Sequence, residues 1–190
     1  IVGYDFRFGK DRKGDTNLLL DHGKIHGFNL ETIEKITNPE TNDPYSSTDI
    51  RECIRTGEIE EANLLLGRPW SMQGKVIHGD KRARKMNFPT ANILPHNEIY
   101  PLKGVYAVNI KFGDEFNKGI ANFGIRPTVE GDKLLLEAHL FDFDKDIYGN
   151  YLTVEFLAFI RGEKKFETFD YLVDQINKDI QIAKDYHLRK

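Results

Sequence analysis

The sequence of 190 residues has a single cysteine, Cys53, which excludes an internal disulfide and a metal cluster built on cysteines. It has no excess of positive charge either, since 27 lysines and arginines face 30 acidic residues and the formal net charge is -3. This balance argues against binding along a nucleic-acid backbone. No apolar run reaches the about 20 residues that a membrane-spanning helix needs, and the first residues lack the pattern of a signal peptide. These absences predict a soluble, cytoplasmic protein without a nucleic-acid or membrane partner.

What is present is the composition of a folded globular protein, with 39% hydrophobic and 30% charged residues. A chain of this length can hold one large domain, or a medium domain with a smaller one beside it. The sequence opens without methionine on a segment that resembles a strand. We therefore expect it to be a fragment of a longer protein.

The first part of the chain alternates between strand-like and helix-like segments, which predicts an α/β arrangement. The predicted strands are 1–6 and 28–36, and the predicted helices are 17–25, 49–56 and 59–66. Ser46, Ser47 and Thr48 offer N-caps for the second of these helices. Gly67 is placed to end the third.

After residue 67 the pattern changes to β segments separated by Gly, Pro, Asn and Asp, so we place a domain boundary between 67 and 68. The predicted strands are 72–78, 104–112, 116–123, 133–141 and 151–161. Their length and spacing favour a small antiparallel β-barrel. An apolar stripe at helical spacing then predicts a C-terminal helix that covers the barrel. The stripe consists of Phe169, Leu172, Val173, Ile176, Ile180 and Ala183.

The segment most informative about function is Gly74–Ile93, where a predicted strand leads into a cationic loop and then into Pro89, Thr90, Ala91 and Asn92. The loop carries the cations Lys81, Arg82, Arg84 and Lys85. A cationic loop that ends in a tight turn can cradle phosphate groups, and the oxygens of Thr90 and Asn92 are of the kind that Mg²⁺ prefers. The alternatives are a solvated charged face and an ordinary proline turn.

A second candidate lies in the segment Leu134–Leu140, where odd and even positions point to opposite faces of a strand. The even positions are apolar, and Glu137 and His139 project together from the other face. From the pattern alone, Glu137 is an ordinary solvent-facing residue and His139 is structural or peripheral.

These segments resemble the riboflavin kinase module of bacterial bifunctional riboflavin kinase and FAD synthetase enzymes. The matching motifs run in order through 68–187 and include Gly104–Ala107, Asn122–Thr128, Glu137–Phe143, Asp146–Gly149 and Arg161–Phe166. The resemblance implies an α+β protein whose riboflavin kinase-like barrel transfers the γ-phosphate of ATP to the 5'-hydroxyl of riboflavin, giving FMN and ADP.

The resemblance also implies roles for particular residues. Glu137 matches the general base that takes the proton of the riboflavin hydroxyl. Thr90 and Asn92 match the site for ATP and Mg²⁺. The other positions that match nucleotide or flavin contacts are Gly79, Lys81, Asn122 and Arg161. Three aromatic residues either stack on the flavin ring or fill the barrel core, and these are Trp70, Tyr106 and Phe123.

The N-terminal part resembles the other half of the same enzymes, a Rossmann-like FMN adenylyltransferase. The matching motifs are Gly3–Gly9 and Ser46–Arg51. The resemblance assigns contacts with the ATP phosphates to the helix start formed by Ser46, Ser47, Thr48 and Arg51, and the alternative is a simple helix cap. The histidine motif HxGH of that half occurs nowhere in the chain. Residues 1–67 are therefore expected to be the C-terminal remnant of that nucleotidyltransferase domain, and the chain as given is expected not to make FAD.

One departure from the family pattern concerns the loop before Pro89. Ala83 or its neighbours and Asn87 stand where the family has glycines, and non-glycine residues restrict the backbone of a loop that must wrap phosphates. The alternative to an active kinase is therefore a flavin- or nucleotide-binding module without turnover.

Overall fold

The computed structural model describes residues 1–37, 45–78, 88–96, 99–128 and 131–189. They divide into an N-terminal unit, Ile1–Ser46, and a barrel unit, Ser47–Lys190. In these described ranges, no helix is both long enough and apolar enough to cross a membrane.

The N-terminal unit contains a two-stranded parallel sheet and one α-helix. Its elements are β1 (Val2–Gly3), a 3₁₀ turn (Lys10–Arg12), α1 (Thr16–His26) and β2 (Thr32–Ile33). The helix confirms the prediction for 17–25, whereas both strands are shorter than the predicted 1–6 and 28–36. Within the described residues, β1 and β2 pair only with each other. An isolated pair of strands is only marginally stable, which agrees with the short length of both strands.

The barrel unit begins with two helices and ends with a third. The helices are α2 (Ser47–Thr56), α3 (Ile59–Leu66) and α4 (Phe169–Arg189). The strands are β3 (Trp70–Ile77), β4 (Ala91–Pro95), β5 (Gly104–Phe112), β6 (Glu115–Thr128), β7 (Gly131–Leu140) and β8 (Tyr151–Gly162). In the part of the chain that the structure describes, these six strands close a barrel in the order β3-β4-β7-β6-β5-β8. Every neighbouring pair is antiparallel, and the predicted α+β class is confirmed.

Strand β4 is absent from the predicted strands, because the sequence predicts a tight turn at Pro89–Asn92. That prediction is wrong for Ala91 and Asn92, which begin β4. Asn92 pairs with Ile77 of β3 on one side and with Glu137 of β7 on the other. Because β4 forms backbone hydrogen bonds with a strand on each side, this short segment after a proline is extended and belongs to the barrel.

The interior of the barrel is filled by apolar side chains that alternate with outward-facing ones along each strand. The fully buried ones include Met72, Ile93, Val108, Ile110, Leu136, Leu152 and Val154. Trp70, Tyr106 and Phe123 belong to the same core. The hydroxyl of Tyr106 donates a hydrogen bond to the carbonyl of Leu102, and burial raises the pKa of that hydroxyl. The structure thus supports the core alternative for these three aromatic residues.

The helices that precede the barrel pack against it, and apolar side chains of α2 and α3 share its core. Asn63 of α3 donates a hydrogen bond of 2.8 Å to the carbonyl of Phe156 and accepts one of 2.7 Å from the backbone of Trp70. Packing therefore divides the chain between 46 and 47, whereas the expected boundary is between 67 and 68. The assignment of residues 1–67 to a nucleotidyltransferase domain stays a prediction.

Helix α4 covers the outer face of β5, β6 and β8. The apolar cluster beneath it includes Val105, Ala107, Ile120, Ala158 and Ala183. The predicted stripe is therefore confirmed, apart from Phe169, which is 61% exposed at the start of the helix. The candidate site lies between this outer face of the barrel and the helix.

Candidate active site

Three of the residues singled out in the sequence form a row across neighbouring strands. Asn92 of β4 is the register partner of Glu137 of β7, and Glu137 is in turn the partner of Asn122 of β6. Register partners lie on the same face of a sheet, and the flanking Ile93 and Leu136 belong to the barrel core. Asn92, Glu137 and Asn122 therefore project from the outer face of the barrel.

Arg126 of β6 connects two members of this polar row. Its Nη1 lies 3.1 Å from Oε1 of Glu137 and 3.2 Å from Oδ1 of Asn92. The side chains of Arg126 and Glu137 are 28% and 36% exposed, whereas Asn92 is buried. Arg126 is absent from the site residues predicted from the sequence. The signal that could have found it is its position four residues after Asn122, which places both side chains on the same face of a strand.

A cavity of about 440 Å³, called here the first cavity, lies between this face of the barrel and α4. Its polar and charged lining residues are Thr90, Asn122, Glu137, His139, Arg161, Glu163, Lys164 and Asp179. The apolar part of its wall consists of Phe88, Val105, Ile120, Ala121, Phe166, Leu172, Ile176 and Ile180. Apolar walls with a few converging polar groups are typical of a site for a small organic molecule.

Arg161 lines the first cavity, and its guanidinium is held by Asp179 of α4. Its Nε lies 3.0 and 2.9 Å from the two carboxylate oxygens, and its Nη2 lies 2.7 Å from one of them. Gln175 donates a further hydrogen bond of 2.9 Å to Asp179. The side chain of Asp179 is 3% exposed and that of Arg161 is 22% exposed. Arg161 therefore ties β8 to α4, and a contact between Arg161 and a ligand stays a prediction.

Asp179 is likewise absent from the site residues predicted from the sequence. The signal was present, because Asp179 lies three residues after Ile176 and four before Ala183, inside the apolar stripe of α4. A carboxylate at such a position is buried on folding and must be paired.

A second cavity, of about 650 Å³, lies on another side of the segment that precedes β4. Its wall includes His78, Thr90 and the segment Phe143–Tyr148. The rings of His78 and Tyr148 stack with their centroids 4.1 Å apart. Thr90 lines both cavities. Among the described residues, Thr90 is the one that the walls of the two cavities share.

His139 holds the backbone beside Thr90. Its Nδ1 lies 2.8 Å from the carbonyl oxygen of Pro89, which accepts a hydrogen bond when Nδ1 carries the proton. Its ring also meets Phe88 edge to face, with centroids 6.0 Å apart. The residue expected to be structural or peripheral thus fixes the segment from which Thr90 projects.

Part of the predicted nucleotide site lies outside the described residues. This applies to Gly79 and Lys81, and to the other loop cations Arg82, Arg84 and Lys85. Their roles stay predictions.

The predicted phosphate contacts of the adenylyltransferase half lie at the start of α2. The helix begins at Ser47, and Arg51 donates hydrogen bonds of 2.9 Å to the hydroxyl and 3.0 Å to the carbonyl of the same serine. Ser46 and Thr48 flank Ser47 in the chain. Ser47 and Arg51 are therefore brought together, and ATP binding by this group stays a prediction.

The family model for riboflavin kinase, Flavokinase, matches residues 66–187. A bifunctional riboflavin kinase/FMN adenylyltransferase from Haemophilus influenzae is 45% identical over 97% of this chain. The protein of the same description from Escherichia coli (strain K12) is 39% identical over 97% of the chain. The chain spans 60% and 59% of the length of these two curated relatives.

Among solved structures, one described as a macrolide-efflux protein from Streptococcus pneumoniae superposes on this chain with a TM-score of 0.82 and 32% identity. The match covers 96% of this chain and 58% of that one. The family model, by contrast, covers the barrel, both walls of the first cavity and Glu137. The chain therefore belongs to the riboflavin kinase family, and its residues 66–187 form a riboflavin kinase domain, a phosphotransferase of a family that uses ATP.

Proposed function

We propose that this chain transfers the γ-phosphate of ATP to the ribityl 5'-hydroxyl of riboflavin, giving FMN and ADP. The observation that carries the proposal is the position of Thr90 in the walls of both cavities. Of these two cavities, the first contains Glu137. A hydroxyl acceptor beside Glu137 and a phosphate donor in the second cavity would meet at Thr90, as phosphoryl transfer requires.

The first cavity suits the flavin. Phe88 and Phe166 supply aromatic surface against which an isoalloxazine ring can pack. Asn122 and Glu137 are register partners on the barrel side, and they offer hydrogen-bonding groups to a chain of hydroxyls. The ring would then lie towards α4, and the ribityl chain would lead along the polar row to Glu137.

The second cavity suits the nucleotide. The stacked rings of His78 and Tyr148 form a flat surface for a purine base. The segment that carries Gly79 and Lys81 begins directly after His78, in the wall of the second cavity, and ends directly before Phe88, in the wall of the first.

Thr90 and Asn92 are the residues that would hold a magnesium ion arriving with the ATP phosphates; Thr90 lines both cavities, and Oδ1 of the buried Asn92 also accepts from Arg126. Their side chains provide two neutral, hard oxygens, and Mg²⁺ in such sites takes one or two protein ligands and completes its shell with phosphate and water. When bound, the ion would neutralise charge on the transferred phosphate. Thr90 and Asn92 would fix where that charge lies relative to Glu137.

Glu137 would act as the general base. A primary alcohol is a weak nucleophile at neutral pH, and a positioned carboxylate can take its proton as its oxygen attacks the γ-phosphorus. The bond from that phosphorus to the β,γ-bridging oxygen breaks, and ADP leaves. The β7 strand that carries Glu137 lies between β4 and β6 in the barrel, so the backbone at this position is fixed on both sides.

The alternative function is a module that holds flavin or nucleotide without turnover. The test is to incubate the purified chain with riboflavin, ATP and Mg²⁺ and to separate riboflavin, FMN and FAD by chromatography. Formation of FMN supports the proposal. Bound riboflavin without FMN contradicts it and supports the binding module.

Formation of FAD is proposed only for a longer chain that carries an HxGH segment, since none occurs in these 190 residues. In such a protein the start of α2, at Ser46, Ser47, Thr48 and Arg51, would contact ATP phosphates. The proposed partners of the present chain are riboflavin, FMN, ATP and ADP. We also propose that it acts in the cytoplasm, where ATP is available and Cys53 stays reduced.

A further inference from the structure

Arg126 occupies a distinctive place beside the first cavity. It belongs to β6, and its backbone pairs with Lys133 of β7, whereas Glu137 pairs with Asn122 further along the same two strands. Its side chain must therefore extend along the sheet to reach Glu137. The position between Asn122 and Arg126 on that face is Gly124. The carboxylate of Glu163 occupies the space where a Cβ of residue 124 would stand, so the Arg126 side chain passes beside it.

A single nitrogen of Arg126 contacts a carboxylate oxygen and an amide oxygen. Nη1 carries two hydrogens, and its neighbours at 3.1 and 3.2 Å are Oε1 of Glu137 and Oδ1 of Asn92. A guanidinium has hydrogen-bond donors and no acceptor. It can therefore donate to the amide oxygen of Asn92, but it cannot accept a hydrogen bond from the amide nitrogen. Arg126 thereby selects the orientation of Asn92 that presents oxygen towards the site, and leaves that oxygen a second lone pair.

The same contact limits the motion of Glu137. The carboxylate is 36% exposed, and a glutamate side chain at the surface of a strand samples several rotamers unless a partner holds it. A general base displaced by about 1 Å from its working position loses much of its effect. Arg126 is not among the described residues that line either cavity. Its influence on the reaction would therefore pass through Glu137 and Asn92.

We propose that Arg126 is a positioning residue for phosphoryl transfer, which fixes the carboxylate of Glu137 and the amide oxygen of Asn92 relative to each other. This inference rests on the proposed function, because it takes Glu137 as the base and Asn92 as the metal ligand. It extends that function by naming the residue that sets the geometry between them. Because the ion pair is partly exposed, its own contribution to stability is small.

The experiment compares Arg126→Met and Arg126→Lys with wild type, and uses Arg55→Met, an exposed arginine on α2, as the matched control. We expect Arg126→Met to lower kcat by about 10- to 100-fold. The KM for riboflavin, and its dissociation constant from quenching of flavin fluorescence, should stay within about twofold because Arg126 lies outside the cavity wall. Arg126→Lys, which keeps a charged donor, should recover part of the loss.

The deciding measurement is a double-mutant cycle with Glu137→Gln. If Arg126 acts through Glu137 as well as Asn92, adding Arg126→Met to Glu137→Gln should lower kcat by a clearly smaller factor than Arg126→Met does in wild type. A full additional loss in that background, or a kcat for Arg126→Met equal to that of Arg55→Met, would overturn the proposal. If Arg126→Met does not fold, the same cycle is run with Arg126→Lys.

The two proposals fail in different ways. If Glu137→Gln loses turnover and Arg126→Met keeps it, the proposed function stands and the role of Arg126 is refuted. If Glu137→Gln keeps full turnover, the base is wrong and the role of Arg126 falls with it.

Discussion

Asp179 of α4 holds Arg161 of β8 through three contacts of 2.7 to 3.0 Å at the wall of the first cavity. The carboxylate has given up almost all of its contact with water, since its side chain is 3% exposed. A buried ion pair is stable only when its hydrogen bonds have good geometry, and loss of one partner leaves the charge of the other uncompensated. The contact therefore fixes α4, which forms one wall of the cavity, to the end of a barrel strand.

Replacing Asp179 by asparagine should destabilise the barrel unit by about 3 kcal/mol, the lower end of the range for breaking a buried pair, because Arg161 keeps some contact with water. The measurement is urea unfolding followed by the fluorescence of Trp70, the single tryptophan of the chain. Asp174→Asn, at an exposed position of the same helix, is the matched control and should unfold like wild type. Equal midpoints for Asp179→Asn and Asp174→Asn would show that the pair does not hold the helix.

The hydroxyl of Thr90 should be needed for the nucleotide and not for the flavin. Thr90→Val keeps the shape of the side chain and removes the oxygen, so we expect kcat/KM for ATP to fall by about 10-fold or more. Thr90→Ser keeps the hydroxyl and should stay close to wild type. Steady-state kinetics with each substrate varied in turn measure both effects. Loss of riboflavin affinity in Thr90→Val, with ATP kinetics unchanged, would place the nucleotide elsewhere.

Stability of the barrel unit should fall as the solution becomes acidic, because of His187 on α4. Its Nε2 lies 3.4 Å from the carbonyl oxygen of Gly119. Burial lowers the pKa of His187 below its ordinary value, the hydrogen bond to Gly119 opposes this shift, and the nearby Lys118 adds to it. The unfolded chain therefore binds a proton at His187 at a higher pH than the folded chain does. The contribution of neutral His187 is fully present above about pH 6.5 and is lost as the pH falls below it.

The check is the pH dependence of Tm between about pH 7.5 and about pH 5.5, followed by Trp70 fluorescence. His187→Gln, which cannot titrate, should show a shallower fall in Tm than wild type. His96→Gln, at an exposed position, should keep the wild-type slope. A slope for His187→Gln as steep as that of wild type would assign the acid sensitivity to other groups.

The parts of the fold that depend on local patterns could be predicted from the sequence. The alternation along Leu134–Leu140 correctly placed Glu137 opposite a buried apolar face, because a strand has a fixed period of two. The apolar stripe of α4 predicted that this helix packs on the barrel, because apolar residues three and four positions apart lie on one face of a helix. The motif order along the chain also identified Thr90, Asn122 and Glu137, which the structure brings to one cavity.

The parts that depend on partners distant in sequence could not be predicted. Asn92 belongs to a strand because β3 and β7 lie on either side of it, and no local signal outweighs the preceding proline. Arg126 bridges Asn92 and Glu137 only once three strands are aligned. Asp179 was hidden in an otherwise apolar stripe, and its partner Arg161 lies on another element.

The most direct test of the account is FMN formation by wild type and by Glu137→Gln under identical conditions, with riboflavin, ATP and Mg²⁺. The substitution keeps the size of the side chain and removes its ability to take a proton. We expect wild type to make FMN and Glu137→Gln to lose about 10²-fold or more in kcat while its riboflavin affinity stays nearly intact. Glu155→Gln, on the outer face of β8, should behave as wild type. Equal turnover by Glu137→Gln and wild type would contradict the central claim that this carboxylate is the base of a riboflavin kinase site.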